Sequence, residues 1–121
     1  MSTVAVLGAS DKPERVAYQA LGRLLDNGHE VFPISPKGGE ILGRAVLSKL
    51  GDIPKPVDTL TLYVGPDRQG PLLDDILALH PRRVIFNPGT ENPTVYPALK
   101  QAGIAVEEAC TLVLLATHQF D

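Results

Sequence analysis

Thr3-Val4-Ala5-Val6-Leu7-Gly8-Ala9-Ser10 decides the fold class. The first five of these residues are apolar or β-branched, and Gly8 closes the run. Such continuity suits a parallel strand buried on both faces; a strand with one wet face would alternate. The period then changes. From about Arg15 to Asn27, Val16, Ala20, Leu21, Leu24 and Leu25 fall on one helical stripe, and Gly28 stands where a left-handed C-terminal cap belongs. A second strand, Glu30 to Ile34, carries Pro33 within it and stops before Pro36. A strand, a helix and another strand in this order form a parallel unit with a right-handed crossover.

The alternation continues outward from that unit. The stretch from Ser35 to Pro56 is rich in Gly and Pro and offers only a short strand near Ala45-Val46 and a helical turn around Ser48 to Leu50. Beyond it the pattern predicts a strand over Thr59–Val64, a helix over Gly70–Leu79 and a strand over Arg83–Phe86. A helix over Pro93–Ala102, a strand over Ile104–Val106 and a short helix over Thr111–Ala116 complete it. The expected fold is α/β: a single Rossmann-like domain over residues 1–121, with a doubly wound, mostly parallel sheet of about five strands and helices on both faces.

The totals fit one such domain and remove several functions. A chain of 121 residues that is 44% hydrophobic can fill one core. Its net charge is −3 with both signs interspersed, so no basic stretch is available to neutralise a row of phosphates, and a nucleic-acid partner is not expected. A small anionic ligand needs only a local cluster of donors. Cys110 is the single cysteine, which rules out an intramolecular disulfide and argues against structural zinc. Met1-Ser2-Thr3-Val4 lacks a basic, then apolar, leader pattern, and Leu112 to Ala116 is too short to span a bilayer. A cytoplasmic protein without a membrane partner is the expectation.

In a doubly wound sheet, ligands bind beyond the carboxyl ends of the strands, where the strand order reverses. The loops expected there are Gly8 to Glu14, Ser35 to Gly39, Val64 to Arg68 and Asn87 to Asn92. In the first, Gly8 permits close backbone approach to a phosphate, the following helix offers free N–H groups, and Ser10, Lys12 and Arg15 add a hydroxyl and charge. An ordinary turn capped by Ser10 or Asp11 would read the same way. Only Gly8 matches the G-x-G-x-x-G fingerprint of dinucleotide sites. The second loop discriminates further. An NAD site places an acid at the end of this strand to hold the ribose hydroxyls. Here the strand ends Ile34-Ser35-Pro36-Lys37, and Ser35 and Lys37 suit a phosphate on that ribose. NADP and coenzyme A both carry one.

Several strings resemble the small CoA-binding protein family, the free-standing counterpart of the CoA-binding domain of succinyl-CoA synthetase alpha subunits and ADP-forming acyl-CoA synthetases. They are Val6-Leu7-Gly8-Ala9-Ser10 with Arg15, the run Gly28-His29-Glu30-Val31-Phe32-Pro33-Ile34-Ser35-Pro36, and Ile41-Leu42-Gly43-Arg44. Leu50-Gly51-Asp52-Ile53-Pro54 with Val57-Asp58, and the stretch from Ala102 to Cys110, belong with them. The resemblance implies a coenzyme A or acyl-CoA ligand. Gly8, Ala9, Ser10 and Arg15 would form its diphosphate side, and Pro33, Ser35, Pro36 and Lys37 would follow the adenosine. Val64, Gly65, Asn87, Pro88 and Gly89 would face it from the next strand ends. The chain departs from the family at Tyr63-Val64-Gly65-Pro66, where many relatives carry Phe-Arg, and at Asn87 to Asn92, where relatives share a Gln-containing segment.

No catalytic set stands out. There is no H-x-x-H, H-E-x-x-H or G-x-S-x-G, so neither metal catalysis nor a catalytic triad is expected. Cys110 is the one candidate redox thiol, able in principle to pair with the thiol end of coenzyme A; a small hydrophobe that packs inward is the more ordinary fate of such a cysteine. The function expected is non-catalytic binding of coenzyme A or an acyl-CoA. An NADP-binding oxidoreductase or fragment, and a Rossmann-like interaction module docking on a larger protein, are the alternatives.

Overall fold

The computed structural model describes residues 2–121. Five parallel strands form the central sheet: β1 (Thr3–Leu7), β2 (Glu30–Ile34), β5 (Thr59–Leu62), β6 (Arg83–Phe86) and β7 (Ala105–Glu108). Their spatial order is β2-β1-β5-β6-β7, so the chain winds outward from β1 to one edge, returns, and winds to the other. The reversal falls between β1 and β5, and a cleft opens there at the carboxyl ends. This is the doubly wound, Rossmann-like α/β fold.

Period-two alternation on buried strands supplies two cores. Ala5 and Leu7 of β1, Leu60 and Leu62 of β5, and Val84 and Phe86 of β6 pack with Ile76 of α2 (Leu73–Leu79) and Leu99 of α3 (Tyr96–Gln101). Val4, Val6 and Ile85 point the other way, onto Leu21 and Leu24 of α1 (Val16–Asp26) and Leu115 of α4 (Thr111–Ala116). Leu21 and Leu24 are wholly inaccessible, a burial worth about 1.5–3 kcal/mol each. Gly28, at φ +83, ends α1 as its sequence position suggested. Its amide donates to the Leu25 carbonyl and that of His29 to Leu24, a pairing that needs the left-handed residue.

The fold departs from the sequence expectation in several places: β7 runs Ala105–Glu108 and not Ile104–Val106, α3 begins at Tyr96 and not Pro93, and the helical turn expected around Ser48 to Leu50 covers Leu50–Asp52. Strand β5 stops at Leu62, although the Tyr63 amide still donates to the Leu7 carbonyl (2.9 Å), and a 3-10 turn follows over Pro66–Arg68. The helix expected over Gly70–Leu79 begins as a 3-10 turn over Gly70–Leu72, and α1 leaves Val16 half exposed over the open cleft. The Gly-rich stretch holds a small antiparallel hairpin, β3 (Glu40–Ile41) and β4 (Arg44–Ala45), joined by Leu42-Gly43. Both turn residues have positive φ, 50° and 79°. The sequence hides this turn, because Asn or Asp usually precedes the glycine. Leu42 instead reaches over Gly22 of α1, where its Cδ1 leaves room for glycine's missing side chain.

The edge away from the cleft is closed by structural contacts. Arg83 donates to the Thr59 hydroxyl, to Glu107 and to the Phe120 carbonyl, and its guanidinium lies over the Phe120 ring. His29 is buried beneath the same ring and accepts from the Ser2 amide through Nδ1. His80, in the left-handed conformation, caps α2 and binds the Ala102 carbonyl.

Candidate functional site

Two cavities sit side by side at the strand-order reversal. The larger, about 560 Å³, opens over the start of α1 and is lined by Gly8, Ala9, Ser10, Lys12, Arg15, Ser35, Pro36, Lys37 and Val64 among others. The smaller, about 270 Å³, runs down toward α2 between Leu7, Ile34, Leu50 and Leu72, with Ser48, Lys49 and Asp75 at its rim. The larger volume falls within the range of small-molecule sites and the smaller just below it. Nine of the residues assigned from sequence thus meet in one cavity. Five do not line either cavity. Pro33 is buried in β2, Gly65 precedes the 3-10 turn, and Pro88 and Gly89 are exposed beyond β6.

Asn87, the fifth, is turned into the core and is 1% exposed. Its Nδ2 donates to the Thr61 hydroxyl (2.7 Å) and the Leu62 carbonyl (2.9 Å), and its Oδ1 accepts from the Thr111 amide (2.9 Å). The amide therefore ties β5, β6 and the start of α4 together, which its place at a strand end did not reveal. The Thr61 and Thr111 hydroxyls complete the group at 2.8 Å. Beside them the Tyr63 hydroxyl is buried and, among the described residues, has no partner at bonding geometry; burial raises its pKa. Cys110 is half-buried at the residue before α4 and lines neither cavity.

The first loop spends its leading amides inside the fold and leaves those at the start of the helix free. The Gly8 and Ala9 amides both donate to the Ile34 carbonyl (3.1 and 3.0 Å), so they are spent on holding β1 to β2. Gly8, at φ +89, still brings the chain close: a Cβ there would lie 3.0 Å from the Tyr63 carbonyl oxygen and from Val64. The amides left free at the cavity are further along, at Ser10, Val16 and Ala17. Ser10 does not cap α1; its hydroxyl accepts from the Lys12 amide at 3.2 Å. The residue at the N-cap is Arg15, which makes no capping bond, and the first turn has no acid. A positive side chain at the positive end of a helix, with nothing capping the amides, is an unfavourable arrangement that an anion would reverse.

Four cations surround this point: Lys12, Arg15, Lys37 and Arg68, with Glu14 the carboxylate on the larger cavity's wall. Among the described residues none of the four is engaged in an ion pair. Ser35 is nearly buried; its hydroxyl accepts from the Lys37 amide, which fixes the base of that side chain. Tyr63 and Arg68 on the wall, and Leu50 and Asp75 below, were not singled out from sequence. Arg68 had the available signal of lying in an expected cleft loop.

The loops after β5 and β6 are locked to one another by Gln69, 2% exposed. Its Nε2 donates to the Val64 and Thr90 carbonyls (2.9 and 2.7 Å), and its Oε1 accepts from Asn92 (3.2 Å). Tyr96 holds the far end, donating to Glu108 at 2.7 Å; partial burial and that bond raise its pKa to about 12.

Fold and cavity define a Rossmann-type α/β domain whose cleft, rich in unpaired cations, lies at the reversal of strand order. The chain belongs to the CoA binding domain family, which matches residues 2–116. A crystal structure of an uncharacterized protein is 42% identical, with a TM-score of 0.94, 99% of this chain covered and 98% of the other. The uncharacterized protein YneT of Bacillus subtilis is 27% identical over 85% of this chain and 76% of its own length. The alpha subunit of an ADP-forming acetate–CoA ligase of Pyrococcus furiosus is 38% identical over 51% of this chain, a match that spans 15% of the subunit. Among the described residues no helix is long and apolar enough to cross a membrane.

Proposed function

We propose that this chain binds coenzyme A, or an acyl-CoA, in the cleft above β1, β2 and β5 and does not transform it. The observation that carries the reading is the start of α1. Its free amides, uncapped and topped by Arg15, meet Lys12, Lys37 and Arg68 around one cavity. An anion with several charges relieves that arrangement, and the helix dipole adds to the attraction. The diphosphate would lie over Ser10 and the first turn of α1, with the ribose phosphate against Lys37. The apolar second cavity, between Leu7, Ile34, Leu50 and Leu72, suits the base. The family match and the ligase subunit's similarity support coenzyme A among phosphorylated nucleotides. Apart from the carboxylates Glu14 and Asp75, the lining groups of both cavities are donors, cations and apolar side chains, a set suited to holding a phosphorylated ligand.

Lys37 supplies the first test. Lys37→Ala is expected to weaken coenzyme A by about 1–3 kcal/mol in calorimetric titration, the range for a hydrogen bond between charged groups. Dephospho-coenzyme A, lacking the ribose phosphate, should bind wild type and variant almost alike. Equal losses for both ligands would place the phosphate elsewhere.

A further inference from the structure

The two cavities share one wall, and it holds a residue that the strand-end reading passed over. Gly8, Ser35, Pro36, Val64 and Arg68 line both. Gly8, the residue after β1, stands where the cavities meet, so a ligand running from one to the other must cross this waist. Arg68 reaches it from the β5 side, opposite the start of α1. Building on the coenzyme A reading, we infer that Arg68 is a further ligand-binding residue that grips the diphosphate from the β5 side, while Ser10 and Arg15 hold it from the α1 side.

The backbone beneath Arg68 is fixed although the side chain is free. Pro66 opens the 3-10 turn, the Arg68 amide donates to Gly65 (3.0 Å), and the Gln69 amide donates to Pro66 (3.2 Å). Immediately after it, buried Gln69 fastens the turn to the Val64 and Thr90 carbonyls. Among the described residues the Arg68 guanidinium has no ion-pair or hydrogen-bond partner, and the side chain is exposed at the cavity wall. An unpaired planar cation on an anchored turn matches the geometry of a phosphate with two free oxygens. Lys37 lines the larger cavity alone, whereas Arg68 stands at the waist and lines both.

The experiment is calorimetric titration of wild type, Arg68→Ala and Lys37→Ala with coenzyme A and with dephospho-coenzyme A, both of which carry the diphosphate. Arg68→Ala should weaken both ligands by roughly 10- to 100-fold, as for loss of a charge-assisted bond, and leave their affinity ratio unchanged. Lys37→Ala should collapse the ratio. Arg68 is exposed, so its thermal midpoint without ligand should stay at the wild-type value, and Arg68→Lys should recover part of the affinity for both. Wild-type affinity in Arg68→Ala overturns the inference. So does a loss confined to coenzyme A, which would put Arg68 on the ribose phosphate. If wild type binds neither ligand, the coenzyme A reading fails and this inference falls with it, a result visible before any variant is made.

Discussion

Asn87→Leu should lower stability by roughly 2–6 kcal/mol, since it strands two buried backbone groups that cost about 1–3 kcal/mol each, while the Thr61 hydroxyl keeps only its bond to Thr111. The side chain it replaces is nearly inaccessible and makes three hydrogen bonds that join β5, β6 and α4. Leucine has about the right volume but offers no donor to the Leu62 carbonyl and no acceptor to the Thr111 amide. For a domain of this size the loss corresponds to a fall in melting temperature on the order of 10 °C. Thermal unfolding followed by circular dichroism measures it. An unchanged midpoint would mean that the amide does not bridge these elements.

The second large effect is expected at Gly8. Its φ of +89° is a conformation that residues with a Cβ rarely adopt, and the new Cβ would meet the Tyr63 carbonyl and Val64 at 3.0 Å. Neither neighbour is the loose end of a long side chain: one is backbone next to β5 and the other a short branched residue. Backbone strain of about 1–3 kcal/mol adds to overpacking of similar size, so Gly8→Val should cost roughly 3–5 kcal/mol in denaturant unfolding. Relief by spreading β1 from β5 would also widen the waist between the cavities, so ligand affinity should fall in the fraction that stays folded. A Gly8→Val protein as stable as wild type would show that β1 and β5 do not approach as described.

The parts of this molecule that could be read from sequence share one property: they follow from backbone period. Val4 and Val6 against Ala5 and Leu7, the Leu21 and Leu24 stripe and the turn at Gly28 each depend on local spacing, and strand β6 and helix α4 were legible to the residue. Lys37 and Arg15 could be picked out because topology puts their loops at one edge. Side-chain direction was not legible. Asn87 and Arg68 both stand just beyond strands in loops of the same edge, yet one turns inward to satisfy buried amides and carbonyls and the other outward to the cleft. Gln69 reads as a surface residue in a polar loop, and only the tertiary fold brings Val64, Thr90 and Asn92 around it. The Leu42-Gly43 turn escaped for another reason: Leu42 adopts a positive φ where Asn or Asp usually marks such a turn.

The central claim, that the cleft takes coenzyme A, is tested most directly by calorimetric titration of the wild-type protein with coenzyme A, alongside dephospho-coenzyme A and NADP. One coenzyme A per chain is expected, with tighter binding than dephospho-coenzyme A by the contribution of Lys37 and weaker or absent binding of NADP. A folded protein that shows no heat with coenzyme A at millimolar concentration, or that prefers NADP, would contradict it.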